Sequence, residues 1–405
     1  MACRQRPVNL IASTVKLRFP LYLERKHPMA KKPRIAIFDP LNARERSFMR
    51  PLAAHLETGW QVDFYHPGTA DEVARAAQDC DAIWFEWCGP LAAHATNQID
   101  LCGKKVIVRL HSFEAIDTNY PNETSWGNVD HLVLVSNDVQ DILRMRWPDL
   151  ERKVDIRVIP NAIECDRFAN SAPKQMTDIA WVGRIEMKKN PALFVQILAK
   201  LVAIDPAYRL HVAGVCVDLR TSRYLSHLIA QLGLGRHIGF YDYVTDMPAW
   251  FQDKGVLLST SFYESFGMNI GEAMASGAFP AIHNFPGANA VWPSECLFST
   301  VDEAVALIRA AAPSKYMDFV RSRYDSARQF AAVDALLAEP NCKLSGQTAL
   351  SQSNTVYPIL DDVNSALILE TSTVSVPVDG VNPSQPRAQR LHRRLKRRAG
   401  MMISD

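Results

Sequence analysis

The chain has 405 residues, of which 48% are hydrophobic, so it is long enough to bury more than one core. Its formal net charge of +2 at pH 7 is too balanced to indicate a nucleic-acid-binding protein, although both ends are basic. No apolar run approaches the roughly 20 residues that span a bilayer, and the eight cysteines form no C-x-x-C pair. These features predict a cytoplasmic α/β protein with reduced, buried thiols.

Residues 1–33 precede the first predicted strand, and we interpret them as a disordered N-terminal extension. Met29 begins the run "MAKKPRIAIF", which has the form of a natural start directly before a strand. The stretch from Val8 to Leu23 is interrupted by basic residues and a proline, and it lacks the small-residue cleavage site of a signal peptide. The extension is therefore left out of the predicted fold.

Short runs rich in Val, Ile, Leu and aromatic residues then alternate with helical stretches, which is typical of βα units with a parallel sheet. Six runs lie in residues 34–165, from "RIAIF" to "IRVIP", and six more lie in residues 179–313, from "IAWVG" to "CLF". The polar, helix-poor residues 166–178 between them are predicted to be a linker. The sequence thus predicts two Rossmann-like domains that face each other across a cleft, with ligands at the carboxyl ends of the strands.

Two segments follow the second predicted sheet. Residues 314–339 carry apolar side chains at three- and four-residue steps, which predicts one closing helix. Residues 340–405 are rich in Ser, Thr, Val, Asn and Pro and end in the basic run 387–398, which predicts a disordered tail. That run is either a solvated tail or a peripheral contact with the anionic inner face of a membrane.

The first chemical motif is "WVGRIEMKKN", where a strand ends at Gly183 and a loop follows. Glycine lets the backbone turn tightly there. Arg184 and Lys189 project from the loop, and the fork of an arginine with the point charge of a lysine suits the oxygens of a diphosphate. The motif predicts a phosphate site.

The second motif is "STSFYESFGMNIGEAMASG", a strand end followed by a helix that begins near Gly267. Backbone amides at such a helix start are free to bind an anion. Here they belong to Phe266, Gly267, Met268 and Asn269. Glu264 and Glu272 lie eight positions apart, so both can point toward one ligand. Because a phosphate repels carboxylates, these two are predicted to hold the hydroxyl groups of a ribose or hexose.

A third position lies in the first half, where the run "VRLHSFE" ends a strand and brings His111 into the loop that faces the cleft. His111 is interpreted as a contact to a sugar hydroxyl, with a purely structural hydrogen bond as the alternative. Glu86 and Trp87 in "WFEWCGP" either line an acceptor pocket or belong to the core.

Together these motifs resemble the retaining glycosyltransferases of family 4, which have the GT-B architecture. The resemblance runs from about Arg34 to Glu339 and is carried by the E-x7-E pair, by "EAMASG", by "GRIEMKKN" and by "VIPNAIECDRF". It implies that Arg184 and Lys189 grip the diphosphate of a nucleotide-sugar donor and that Glu272 holds the ribose. It also implies that Glu264 and His111 lie against the transferred sugar.

The resemblance further implies transfer to a glycan or lipid-linked acceptor, as in polysaccharide biosynthesis, with retention by same-face attack and without a protein nucleophile. Neither a cofactor nor a metal is expected, and the D-x-D formed by Asp79 and Asp81 is interpreted as a surface turn. Two features depart from the family pattern. The first strand is followed by "DPLNARERSF" in place of a Gly-rich loop, and the usual "PNG" is "PNA".

Two other functions remain open from the sequence. A nucleotide-sugar epimerase would need the same diphosphate grip, although the order of the motifs favours a transferase. A degenerate transferase kept as a binding subunit would show damage at the site, whereas both acids and both cations are intact. A dinucleotide oxidoreductase is disfavoured because no G-x-G-x-x-G follows a strand.

Overall fold

The computed structural model describes residues 32–40, 48–170, 172–312 and 316–341. The predicted N-terminal extension up to residue 31 and the predicted tail from residue 342 onward, with its basic run, lie outside the described residues. Within the described part, no helix combines the length and the apolar character that crossing a bilayer requires.

A six-stranded parallel sheet organises the first half. Its strands are β1 (Arg34–Phe38), β2 (Gln61–Tyr65), β3 (Ala82–Phe85), β4 (Lys105–Leu110), β5 (His131–Leu134) and β6 (Asp155–Val158), in the order β2-β1-β3-β4-β5-β6. Its helices are α1 (Arg50–Leu56), α2 (Ala70–Asp79), α3 (Pro90–Gln98), α4 (Ser112–Asp117), α5 (Tyr120–Glu123) and α6 (Asn137–Arg146). The strands β3, β4 and β5 are buried along their whole length, as expected when helices cover both faces of a sheet.

The segment predicted to be a helix-poor linker contains regular structure at both ends. A single turn of helix, α7 (Cys165–Phe168), lies at its start, and the first strand of the second sheet, β7 (Gln175–Val182), begins inside it. The expectation of a helix-poor stretch over residues 166–178 is therefore wrong, because most of α7 and the first residues of β7 lie inside it. Cys165 and Phe168 are buried with the second half, so apolar contacts order a stretch whose polar composition indicated a loop.

A second six-stranded parallel sheet organises the other half. After β7 come β8 (Arg209–Ala213), β9 (Ile238–Phe240), β10 (Lys254–Ser259), β11 (Phe279–His283) and β12 (Leu297–Phe298), in the order β12-β11-β10-β7-β8-β9. The helices are α8 (Pro191–Ile204), α9 (Leu219–Gln231), α10 (Met247–Phe251), α11 (Met268–Ala275), α12 (Ala288–Val291) and α13 (Val301–Arg309). The strand order reverses between β7 and β10, which is where ligands bind in such sheets.

The predicted single closing helix is wrong, because the structure has two helices there. They are α14 (Tyr316–Tyr324) and α15 (Ser326–Ala338). The break forms where the backbone pairs with Ile163: the Ile163 amide donates to the Tyr324 carbonyl at 2.7 Å, and the Ser326 amide donates to the Ile163 carbonyl at 3.2 Å. The two chain segments that connect the halves thus run side by side.

The helix α15 packs against the first sheet although it follows the second one in sequence. Val333, Leu336 and Leu337 join the core that contains Ile35 and Trp84. One prediction about the thiols also fails, since Cys102 is exposed in the turn before β4.

Candidate active site

Two glycines bring the carboxyl ends of β7 and β8 into contact. Gly183 and Gly214 have φ angles of +152° and +147°, a region that favours glycine. A Cβ atom on Gly214 would lie 1.8 Å from the carbonyl oxygen of Gly183, so no side chain fits there. From this corner Arg184 extends into solvent, with its guanidinium 3.6 Å from the carboxylate of Glu186.

Lys189 and Glu264 form an ion pair at the ends of β7 and β10, which are neighbours in the sheet. The exposed fractions of the two side chains are only 19% and 11%. Ser261 also donates to Glu264, at 2.7 Å. Burial alone would raise the pKa of Glu264, but the Lys189 ammonium and the two hydrogen bonds hold that pKa below its usual value. Glu264 is therefore a buried carboxylate that stays ionised at neutral pH.

The loop that carries Lys189 is fixed by backbone contacts. The Thr260 hydroxyl donates to the carbonyl of Lys189 at 2.7 Å and accepts from the indole of Trp181 at 2.9 Å. The amide of Phe262 donates to the carbonyl of Lys188 at 3.1 Å. These contacts hold the lysine next to the carboxyl end of β10.

The helix α11 begins where the second motif predicts. Gly267 precedes it with a φ of +87°, and the Asn269 side chain donates to the Val182 carbonyl at 2.9 Å, which ties the first turn to the end of β7. Phe266 is buried against Trp292, and the Met268 side chain packs at the edge of the same core. Among the described residues, none accepts a hydrogen bond from the amides of Gly267, Met268 or Asn269.

Glu272 lies in the second turn of α11, and no hydrogen bond or ion pair joins its side chain to another described residue. The charged residues that act on its carboxyl group are Arg167 and Glu164. Burial raises the pKa of Glu272 to about 7, with Arg167 opposing the shift and Glu164 adding to it. The two predicted acids thus differ, because one is paired with a cation and the other has a carboxyl group that is available to a ligand.

In the first half, His111 precedes α4 at the carboxyl end of β4 and is almost fully buried. Its Nε2 atom lies 3.1 Å from the Glu86 carboxylate. Its ring packs against the rings of Trp87 and Phe48, with centroid distances of 4.4 and 5.3 Å. Burial lowers the pKa of His111, which Glu86 opposes only in part.

Sequence reasoning missed two members of this group, Arg109 and Asn161. Arg109 is buried, donates to Glu86 at 3.3 Å and places its other terminal nitrogen on the Asn161 side-chain oxygen at 2.5 Å. A charged residue between the apolar residues Val108 and Leu110 of β4 is the signal that could have identified Arg109. Asn161 belongs to the "PNA" run, where no local pattern indicates a contact with Arg109.

Two contacts join the halves beside these residues. The hydroxyl groups of Ser112 and Ser265 are 2.5 Å apart, and the Tyr263 hydroxyl donates to the Asp138 carboxylate at 2.9 Å. Ser112 follows His111 and Ser265 follows Glu264. We call the space between these positions the cleft, with His111 on the first wall and residues 183–189 and 263–269 on the second.

Acidic groups with the spacing of a metal site lie away from the cleft. Asp81 accepts from the Arg34 amide at the amino ends of the strands, the opposite edge of the first sheet. Among the described residues, the ligand atoms of His131, Asp155 and Glu339 lie within 4.8 Å of one another. Arg157 pairs with both of those carboxylates, at 2.7 and 3.1 Å, so a cation already balances their charge.

Residues 163–292 match the family model described as glycosyl transferases group 1. The chain is 29% identical over 164 residues to mannosylfructose-phosphate synthase of Agrobacterium fabrum, a match that covers 36% of each protein. It is 30% identical over 138 residues to D-inositol 3-phosphate glycosyltransferase of Geodermatophilus obscurus, covering 30% of this chain and 31% of the relative. The matches thus span about a third of these curated relatives.

The fold is shared with solved glycosyltransferase structures at low sequence identity. Anabaena HepE in complex with UDP and glucose has a TM-score of 0.62 at 15% identity, covering 75% of this chain and 99% of HepE. Sucrose-phosphate synthase of Thermosynechococcus elongatus has a TM-score of 0.57 at 14% identity, covering 75% and 98%. Residues 163–292 therefore resemble the glycosyl transferases group 1, and the chain shares the GT-B fold of these solved structures.

Proposed function

We propose that this protein is a retaining glycosyltransferase that moves a sugar from a nucleotide-diphosphate sugar to a hydroxyl group of a glycan or lipid-linked acceptor, without a metal ion. The observation that carries the proposal is the second wall of the cleft. There the loop 183–189 carries the cations Arg184 and Lys189, Lys189 pairs with Glu264, and the first turn of α11 is tied to the end of β7.

This positive charge suits the step that costs most in glycosyl transfer. As the bond between C1 of the sugar and the phosphate oxygen breaks, negative charge grows on the diphosphate, and preorganised cations and amides stabilise it. Lys189 is held by Glu264 in the free protein, so a bound diphosphate shares or replaces that contact. Glu264 then accepts hydrogen bonds from hydroxyl groups of the sugar, and Glu272 accepts them from the ribose.

Retention follows in this proposal from attack on the same face as the leaving group. The acceptor oxygen forms its bond to C1 while the bond to the phosphate breaks, and the acceptor proton passes to the departing phosphate oxygen. No protein nucleophile is required, unlike in retaining glycosidases, where a carboxylate attacks C1. His111 faces the sugar from the first wall.

The names of the relatives support a hexose donor and a polar acceptor. They include a mannosylfructose-phosphate synthase, an inositol phosphate glycosyltransferase and a lipopolysaccharide core mannosyltransferase of Rhizobium meliloti, the last 27% identical over 38% of this chain and 43% of its own length. HepE was crystallised with UDP and glucose. HepE shares the fold of this chain.

A nucleotide screen tests the donor site. The full chain is heated with UDP, GDP or ADP and with their sugar conjugates, and the midpoint of unfolding is recorded for the wild type and for Arg184→Ala and Glu272→Ala. We expect one nucleotide to raise the midpoint and both variants to weaken that shift. If no nucleotide raises it, the chain is a degenerate transferase that has lost donor binding.

The preferred donor is then incubated with candidate acceptors, and the anomeric configuration of the product is read by proton NMR. The same assay is repeated with EDTA to test the expected metal independence. Retained configuration and unchanged rates support the proposal. An inverted product, or a rate that EDTA abolishes, contradicts the corresponding part of it. Epimerisation of the donor without transfer would favour an epimerase.

A further inference from the structure

A buried carboxylate lies directly behind His111 on the first wall. Glu86 has no exposed surface. One of its oxygens, Oε1, lies 3.1 Å from His111 Nε2 and 3.3 Å from a terminal nitrogen of Arg109. The other, Oε2, accepts from the indole nitrogen of Trp84 at 2.9 Å.

The surroundings of Glu86 decide how the His111 ring carries its proton. Arg109 and Trp84 have no acceptor atom to offer, so Glu86 must accept from both. Because an ionised carboxylate has only acceptor atoms, Glu86 also accepts from the histidine. The ring proton is therefore on Nε2. Burial lowers the pKa of His111 and so favours the neutral ring, whose other nitrogen, Nδ1, then carries a lone pair.

The position of the ring leaves Nδ1 available. Trp87 and Phe48 pack against the ring, so it cannot easily rotate to exchange its two nitrogens. Among the described residues, the ring's polar contacts are with Glu86: its carboxylate lies 3.1 Å from Nε2, and its backbone acts on the pKa of the ring in the same direction, with no separate partner found at Nδ1. The next residue in the chain, Ser112, already touches the second wall through Ser265.

We infer that Glu86 is a positioning residue that fixes His111 in the form protonated at Nε2, so that Nδ1 presents a hydrogen-bond acceptor to a sugar hydroxyl group at the cleft. The hydroxyl as ligand rests on the proposed function, whereas the protonation pattern is a property of the free protein. An acceptor atom at this point selects a hydroxyl donor, and it disfavours sugars that lack that hydroxyl, because a buried acceptor is then left unpaired.

The first test measures the proton position itself. The full chain is labelled with ¹⁵N-histidine, and long-range ¹H–¹⁵N correlation spectra distinguish the protonated from the unprotonated ring nitrogen. The signals of His111 are assigned by their loss in His111→Gln. We expect the proton on Nε2 in the wild type. A proton on Nδ1, or a doubly protonated ring at neutral pH, overturns the inference without any use of an activity assay.

The second test changes the partner and keeps its size. In the wild type, the two carboxylate oxygens of Glu86 accept from three donors. In Glu86→Gln only one side-chain oxygen remains, so at least one donor faces an NH₂ group. We expect the Nε2-protonated form to lose its dominance in the spectra, and kcat/KM for transfer to fall by about 10- to 100-fold, which corresponds to about 1.4 to 2.7 kcal/mol. A rate loss with an unchanged proton position means that Glu86 acts only through stability and overturns the inference.

A matched control separates positioning from general destabilisation. Leu143→Ala removes a buried side chain of α6 in the same half of the molecule and is expected to lower the free energy of unfolding by about 2 to 5 kcal/mol. The His111 spectrum should not change in this variant, and if it does, the proton position reports loosened packing and not Glu86. If Glu86→Gln shifts the proton but no donor or acceptor supports transfer by the wild type, the proposed function fails while the role of Glu86 stands.

Discussion

The charged groups on the two walls of the cleft differ in burial and in pairing. On the first wall, Glu86, Arg109 and His111 are buried together, and Arg109 and His111 both hydrogen-bond to the Glu86 carboxylate. On the second wall, Arg184 is exposed and Lys189 keeps part of its surface accessible. The amides of Gly267, Met268 and Asn269 have no acceptor among the described residues.

This difference indicates that the two walls bind different kinds of group. A charged group in a buried network can bind a ligand only by breaking its own hydrogen bonds and ion pairs, which costs a large free energy. The first wall is therefore suited to hold a neutral group in a fixed orientation. On the second wall, Arg184 can replace its contact with solvent, and Lys189 its contact with Glu264, by a contact with a charged ligand at a lower cost in free energy. The predictions below test whether the walls differ as described.

The largest effect is expected at Lys189. Lys189→Ala removes a cation from the diphosphate site and leaves Glu264 buried without its partner, so the transfer rate should fall by about 10²- to 10³-fold. The measurement is kcat with the preferred donor. Lys188→Ala is the control, because the Lys188 ammonium instead lies over the Tyr263 ring, 5.7 Å from its centroid. Equal losses in the two variants would show that the loop needs only general positive charge.

The next largest effect is expected at the glycine corner of the second wall. Gly214→Ala places a Cβ atom 1.8 Å from the Gly183 carbonyl oxygen at a φ of +147°, which should lower the free energy of unfolding by about 3 kcal/mol or more. Urea denaturation measures this. Gly235→Ala is the control, since a Cβ there meets nothing within 4 Å, and its stability should change by less than about 1 kcal/mol. Similar losses at both positions would contradict the close approach of β7 and β8.

The sequence predicts the strands of both sheets to within a few residues, because buried parallel strands are continuous apolar runs. The ion pair of Lys189 with Glu264 was not predictable, since the two residues are 75 positions apart and only the pairing of β7 with β10 brings them together. The break between α14 and α15 depends in the same way on Ile163, far away in sequence. Local sequence patterns predict the strands and helices, whereas contacts between residues far apart in sequence depend on how those elements pack.

A pH-dependent effect is expected at Glu272. Because burial raises its pKa to about 7 from an ordinary 4.5, the native protein binds a proton that the unfolded chain has released between those pH values. The free energy of unfolding should therefore fall as the pH rises from about 4.5 to about 7, by at most about 3 kcal/mol. Glu272→Gln should remove this dependence and be more stable than the wild type at pH 8, but not at pH 4.5.

The same substitution should weaken nucleotide binding at pH 8, if the carboxylate holds the ribose. Urea denaturation and nucleotide titration at both pH values measure the two effects. Asp71→Asn, at an exposed position in α2, controls for the loss of one negative charge. A variant that is stabilised at pH 8 and keeps full nucleotide affinity would mean that Glu272 is a buried acid without a role in the donor site.

The smallest effect is expected at the bridge between the walls. The Ser265 hydroxyl lies 2.5 Å from that of Ser112 and also accepts from the Ser112 amide at 3.3 Å, so Ser265→Ala should lower the free energy of unfolding by about 1 kcal/mol. Ser112→Ala and the double variant complete a cycle, in which a coupling energy of about 1 kcal/mol is expected because the residues are in contact. Additive losses would mean that the hydroxyl groups do not meet in solution. Only a bound ligand would then bring His111 and Glu264 together. In the free protein, the first wall would be ordered while the second wall stays apart from it.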